Sequence, residues 1–259
     1  MSSQAKHTVL TVSDVSVGYK NLIVAENINF ELSEGELMAI IGINGIGKST
    51  LLRTLGKVQH QLEGSIQIKG KSLAQYKSVA LASEISMVLT EAIASKNMTV
   101  QELITLGRQP YTNWIGSLTK GDINKIEETI QMLELTALQH KKCYELSDGQ
   151  LQRVMIARAV AQDTRIMLLD EPTTHLDLYH KVQLLKLLKQ IAHDTKKTIV
   201  FTSHEIEMTL QMCDTILLLN GENNLFGTPE YLMQQKAFDT LFPDDSLTFD
   251  LKTKSFRIT

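Results

Sequence analysis

Met38 to Leu55 reads MAIIGINGIGKSTLLRTL. The apolar run Leu37 to Ile41 predicts a buried strand. After it the chain fits G-x-x-x-x-G-K-[ST], with Gly42, Gly47, Lys48 and Ser49 in register and Gly45 between, ahead of a leucine-rich helix. Without side chains at Gly42, Gly45 and Gly47, successive backbone N–H groups can close on an anion. The helix that starts near Lys48 adds its unpaired N–H groups and the positive end of its dipole. Lys48 would place a point charge on the β- and γ-phosphates of a nucleotide, and the Ser49 hydroxyl is the expected ligand of the accompanying Mg²⁺. Composition alone gives such a pattern in roughly one chain in a hundred of this length, so the rest of the chain has to decide between a phosphate cradle and a plain glycine turn.

The bulk of the sequence narrows the field. The chain has 259 residues, 43% hydrophobic and 21% charged, which suits a soluble protein with a sizeable core, either one large domain or a domain with an inserted lobe. A formal charge of -3 supplies no net basic field, so nucleic acid is not an expected partner. Cys143 and Cys213 lack metal-ligand spacing, and Met1 to His7 lacks the apolar core of a signal peptide, which reads as a reduced, cytosolic chain. No segment approaches ~18 uninterrupted apolar residues. A pore, if this protein serves one, belongs to another chain.

Taken in order, Thr8 to Val17 and Ile28 to Leu32 alternate as half-buried strands do, with Gly18 to Glu26 expected as their connection. Tyr19 falls in it, placed either to stack on an adenine ring or to pack the sheet edge. Gly64 to Ile68 and Ile85 to Leu89 read as further strands. From about Asn97 to Gln162 the pattern turns helical. Val100, Leu103, Ile104 and Gly107 mark a short helix ending near Pro110, and Thr119 with Asp122 forms a capping box ahead of Ile123, Ile126, Ile130 and Leu133 on one face. Between them Tyr111, Trp114 and Ile115 cluster in Pro110 to Leu118, either as core or as a patch for a partner.

LSDGQ, Leu146 to Gln150, precedes the helical stretch Leu151 to Ala161, and Ser147 and Gly149 at a helix start make a second anion site. Ile166 to Leu169 is a buried strand with Asp170 and Glu171 at its carboxyl end, where open α/β sheets bind ligands. Adjacent strand residues face opposite ways. The two acids can therefore divide the work, one holding Mg²⁺ and the other orienting a water.

In order along the chain, Gly42 to Thr50, LSDGQ, LLDEP and His204 resemble the ATP-binding subunits of ABC transporters over Tyr19 to about Gly227. The resemblance implies an α/β fold: a P-loop ATPase with a RecA-like core, an antiparallel β subdomain and an inserted α-helical subdomain. It implies one ABC ATPase domain over 1–259, with 1–95 and 163–227 as core and β subdomain, 96–162 as helical subdomain, and 228–259 as a C-terminal helix and hairpin. By the same resemblance Tyr19 stacks on adenine, and Asn44, Gly45, Gly47, Lys48, Ser49 and Thr50 hold the phosphates. Ser147, Gly149 and Gln150 meet the γ-phosphate held by a second copy, and Asp177 belongs to the D-loop. Asp170 is implied as a magnesium ligand with Ser49, Glu171 as catalytic base, and His204 as the switch histidine.

Two positions depart from the family pattern. Asp148 stands where glycine is usual in the signature, and Thr90, followed by Glu91, stands where the Q-loop glutamine is usual, so the Mg²⁺ ligand implied there is Thr90, with a shorter reach, or Glu91 as its substitute. NMTVQELITLGRQPY and EPTTHLDLYHKVQLLKLLK resemble importers of iron-siderophore, haem and cobalamin. These imply ATP and Mg²⁺ as cofactors, a homodimer closing on two ATP molecules, integral membrane permease subunits, an indirect substrate-binding protein, and a peripheral place on the cytoplasmic face of the cell membrane. The alternative is a soluble ABC-type ATPase serving as an assembly scaffold, as in iron–sulfur cluster biogenesis.

Overall fold

Short apolar runs buried on both faces make a parallel sheet, and alternating runs make an antiparallel one. The computed structural model describes residues 7–20, 22–90, 96–221, 223–241, 247–250, 253 and 255–258. The strands are β1 (Thr8–Tyr19), β2 (Leu22–Ser33), β3 (Leu37–Ile41), β4 (Glu63–Ile68), β5 (Lys71–Ser72), β6 (Ile85–Val88), β7 (Ile166–Leu169), β8 (Thr198–Thr202), β9 (Thr215–Leu218), β10 (Leu225–Gly227), β11 (Leu247–Asp250) and β12 (Ser255–Ile258). The helices are α1 (Lys48–Leu55), α2 (Ser78–Ala82), α3 (Val100–Thr105), α4 (Lys120–Met132), α5 (Asp148–Ala161), α6 (Leu178–Thr195), α7 (Ile206–Met212) and α8 (Pro229–Gln234).

The central sheet runs β10-β9-β3-β8-β7-β6, with β9, β3, β8, β7 and β6 parallel and β10 antiparallel at one edge. All five residues of β3 are buried. Their alternation sends Met38 and Ile40 toward Leu51, Leu52 and Leu55 of α1, and Leu37, Ala39 and Ile41 into the cluster that holds Ile156 of α5 and Leu185 and Leu188 of α6. One apolar strand thus anchors both layers. Each fully buried leucine or isoleucine contributes about 1.5–3 kcal/mol, and a charge at Ile40 would break the packing under the phosphate loop.

A second sheet, β2-β1-β4-β5, is antiparallel. The expected connection Gly18 to Glu26 is instead mostly strand: Val17 pairs with Ala25, Gly18 with Ile23 and Tyr19 with Leu22, leaving the turn at Lys20, φ 53°. Tyr19 therefore ends a strand and does not sit in a long loop. Gly18 makes this tight pairing feasible, because a Cβ there would lie 2.0 Å from the Leu22 carbonyl oxygen.

The helical stretch follows its caps. Thr99 with Glu102 and Thr119 with Asp122 form capping boxes. The α3 helix stops at Thr105 and the chain continues through Pro110 to Tyr111 as a 3-10 segment, so it does not end at the proline as its spacing predicts. Arg108 in that segment is buried, donates Nε–H to Asp122 Oδ1 (2.9 Å) and Nη1–H to the Ala161 carbonyl (2.8 Å), and ties α4 to the end of α5. Ile126, Ile130 and Leu133 are buried, whereas Ile123, expected on the same face, is 44% exposed in the first turn of α4. The α5 helix begins at Asp148, three residues before the expected Leu151, with Ser147 as its cap.

Beyond the core, Thr228 caps α8 with Pro229 in its first turn, and β11 pairs with β12 as the expected hairpin.

Candidate functional site

The phosphate loop leaves the carboxyl end of β3 and enters α1. Gly47 caps that helix at φ 106°, a conformation L side chains rarely adopt, and among the described residues no side chain caps the first-turn N–H groups. A helix start left uncapped in this way can offer its donors to an anion. Lys48, 5% exposed, donates Nζ–H to the carbonyls of Gly42 (2.9 Å) and Ile43 (3.0 Å), so its ammonium lies over the loop. Burial pushes the Lys48 ammonium below the usual lysine range, and the carboxylates of Glu171 and Asp170 push it back up.

Asp170 and Glu171 leave the carboxyl end of β7, next to β8 and close to the loop. Asp170 is 4% exposed, and its Oδ1 accepts from Ser49 Oγ (2.8 Å) and from Thr202 Oγ1 (2.8 Å). Thr202 also accepts from the Glu171 N–H at 2.7 Å. Glu171 holds φ 46°, in the left-handed region, which turns its side chain away from the strand's alternation. Its Oε1 contacts His204 Nε2, and its Oε2 accepts from Thr174 Oγ1 at 3.2 Å. Both carboxylate oxygens are held.

One cleft joins Tyr19, Asn44, Gly45, Gly47, Lys48, Ser49 and Thr50 with Glu171 and His204. Tyr19 is 53% exposed and its hydroxyl lies 3.4 Å from Thr50 Oγ1, leaving a ring face open at the cleft wall. Thr90 does not line this cleft. It lines the neighbouring one with Asp170, Glu171, Asp148, Lys96 and His175. Glu91 lies outside the described residues.

Ser147, Gly149, Gln150 and Asp177 do not join the phosphate loop of their own chain; none lines its cleft. Ser147 Oγ accepts from the Gln150 N–H (3.3 Å) while Gln150 Oε1 accepts from the Ser147 N–H (3.1 Å). Asp177 caps α6 and holds the His180 ring, and Gly149 faces Leu176 and His180. The departing residue Asp148 is exposed and shares the cleft with Thr90 and Glu171.

Sequence reasoning missed Thr202 and Thr174. The signal for Thr202 was a polar residue in the apolar run TIVFT, just before His204. Thr174 follows the acid pair in a turn that its own N–H closes onto the Glu171 carbonyl at 3.1 Å.

The donor set has a definite chemistry. Ser49 and Asp170 offer oxygen only, and no group of three or more His, Cys, Asp or Glu that could hold a metal occurs among the described residues. Oxygen donors of this kind suit a hard cation carried mostly by phosphates and water, as Mg²⁺ is.

Open helix N–H donors, a buried lysine and an acid pair at the ends of parallel strands define a nucleotide-binding protein of the P-loop class. Residues 25–174 match the family described as ABC transporter. An uncharacterized ABC transporter ATP-binding protein of Methanocaldococcus jannaschii is 39% identical over 90% of this chain and 81% of its own. A petrobactin import ATP-binding protein of Bacillus anthracis is 32% identical over 96% and 92%. The inward-facing structure of a transporter classed provisionally as of the metal-chelate type superposes with a TM-score of 0.79 at 28% identity, covering 96% of this chain and 95% of that one. The chain belongs to the ABC transporter family, as an ATP-binding subunit that hydrolyses ATP.

Proposed function

We propose that the chain powers uptake of an iron-siderophore, haem or cobalamin-type complex through separate membrane subunits. The observation that carries the hydrolytic part is the contact of Glu171 with His204 at the mouth of the phosphate loop. Tyr19 stacks the adenine, and Asn44 to Thr50 wrap the phosphates. Ser49 and Asp170, with Thr90, would hold Mg²⁺, which would supply positive charge against the β- and γ-phosphates. Lys48 and the loop N–H groups stabilise charge as the terminal phosphoryl departs. Glu171 accepts a proton from the attacking water, and His204 fixes that water and the carboxylate in line.

Ser147, Gly149 and Gln150 serve the nucleotide of a second copy, because they stand apart from their own cleft. The γ-phosphate then bridges two chains, and its loss on hydrolysis reopens them. Asp148 is tolerated there with its side chain toward the Thr90 cleft while backbone N–H groups meet the phosphate. We propose that the chain divides into a core with β subdomain (1–95 and 163–227), a helical subdomain (96–162) and a C-terminal helix and hairpin (228–259).

Among the described residues no helix is long and apolar enough to cross a membrane. We place the chain peripherally on the cytoplasmic face of the cell membrane, docked on permease subunits and reached indirectly by a substrate-binding protein. The docking face is the groove lined by Val79, Leu106, Pro110 and Arg158, together with the exposed Trp114 (93%) and Ile115 (67%) of the segment that follows Pro110 in the chain. Arg158 lies desolvated there, its guanidinium pushed down by burial and bonded only to the Met87 carbonyl among the described residues.

Affinity purification of tagged Glu171→Gln protein from detergent-solubilised cells tests the reading. A polytopic membrane protein in near-equal amount supports the importer. Soluble partners alone, with membranes intact, would favour the assembly-scaffold alternative.

A further inference from the structure

We propose that Lys181 is a positioning residue for His204, acting through Glu205. His204 lies in the short connection between β8 and α7, with its side chain 40% exposed and its Nε2 on Glu171 Oε1, so the backbone that carries the ring has to be fixed by its neighbours. The residues on either side do that work. Ser203 is 1% exposed, its N–H donates to the Ile40 carbonyl (3.0 Å) and its Oγ accepts from the Glu205 N–H (3.0 Å). Glu205 stands at the start of α7 at φ -90°, ψ 71°, outside helical geometry and without a side-chain cap. Its carboxylate is instead held by Lys181 Nζ from α6.

The location of Lys181 argues for a task. It lies in the first turn of α6, where the helix dipole disfavours a cation, and its N–H donates to the Asp177 carbonyl at 2.9 Å. Both partners are largely covered, at 21% and 32% side-chain exposure, so solvent screens the pair less than it would an open surface pair. Neither Lys181 nor Glu205 lines the nucleotide cleft. The pair therefore bears on hydrolysis by fixing the connection that carries His204, and it links that connection to α6, the helix that Asp177 caps.

The inference rests on Glu171 and His204 carrying hydrolysis. It is tested on the full chain by measuring ATP turnover and ATP affinity for Lys181→Met, Lys181→Arg, and the exchange of Lys181→Glu with Glu205→Lys. Lys181→Met is expected to lower kcat about 5- to 20-fold with ATP affinity within about twofold, the size of coupling usual for neighbouring charged groups. Lys181→Arg and the exchange should recover most of it, and in a His204→Ala background Lys181→Met should cost nothing more. Unchanged turnover in Lys181→Met, a parallel loss of ATP affinity, or the same fold loss without His204 would each overturn the tie. Glu171→Gln separates the failures: if it still turns over, the underlying reading fails, and if it is dead while Lys181→Met is normal, only the tie fails.

Discussion

Ser49 Oγ donates to Asp170 Oδ1 across 2.8 Å, joining the first turn of α1 to the end of β7 over 121 residues of sequence. A cation held by Ser49 would therefore have the Asp170 carboxylate within reach, directly or through water. Ser49→Ala should raise the Mg²⁺ needed for half-maximal hydrolysis at least about 10-fold, with nucleotide binding in chelator little changed. An unchanged Mg²⁺ titration would remove Ser49 from the ion.

Glu171 carries a different prediction, since its carboxylate is held at both oxygens and does not bond Ser49 or Thr202 side chains. Glu171→Gln keeps the shape and removes the base. Turnover should fall by about 10²- to 10³-fold, the scale for one transition-state group, while ATP still binds. Turnover within a few-fold of the parent chain would assign the base elsewhere.

Much of this site was legible because local geometry and chemistry coincide. The run Leu37 to Ile41, the glycines and Lys48-Ser49 each demand the same strand, turn and helix, and the acid pair after Ile166 to Leu169 follows from the ends of buried strands. What escaped depends on register and backbone twist. Tyr19 looked like a loop residue because Leu22-Ile23 breaks the alternation, yet pairing of Gly18 with Ile23 keeps the strands together. Thr202 holds Asp170 as well as the Glu171 N–H, and Thr174 reaches the Glu171 carboxylate in the turn where Glu171 holds φ 46°. Trp114 and Ile115 could not be assigned to core or surface from spacing; Asn113 decides it, its Oδ1 accepting from the Ile115 and Ser117 N–H groups (3.1 and 3.0 Å) in a loop that holds both side chains out.

Tyr19 now has a ring poised at the cleft wall, half-exposed and tethered near Thr50. Stacking of a base on an aromatic ring contributes about 1–3 kcal/mol. Tyr19→Ala should therefore weaken ATP binding by about 5- to 150-fold, and Tyr19→Phe by no more than a few-fold, in equilibrium titrations with a fluorescent ATP analogue. Equal losses in both variants would mean that the hydroxyl, not the ring, matters.

Thr90 shares a cleft with Asp170 and Glu171 but not with the phosphate loop. If its hydroxyl reaches the ion through water, Thr90→Ala should raise the Mg²⁺ requirement by a smaller factor than Ser49→Ala, and Thr90→Ser should restore it. An indifferent Thr90→Ala would leave the ion to Ser49, Asp170 and water.

Asp122 tests what holds the helical stretch together. Hydrogen bonds from the Thr119 hydroxyl and N–H, and then the Arg108 guanidinium, hold its carboxyl below the usual carboxylate range. A lowered carboxylate value means the folded state prefers the ionised form, so its contribution is complete above the unfolded-state value near pH 4 and fades as pH falls through the folded-state value beneath it. Asp122→Asn keeps the volume but gives up the charge on a 3% exposed residue paired with a buried arginine. Denaturant unfolding should show a loss of about 2–4 kcal/mol at neutral pH, shrinking toward zero as both proteins are taken well below pH 4. A difference that stays constant over that range would show that packing, and not the ionised pair, is what Asp122 supplies.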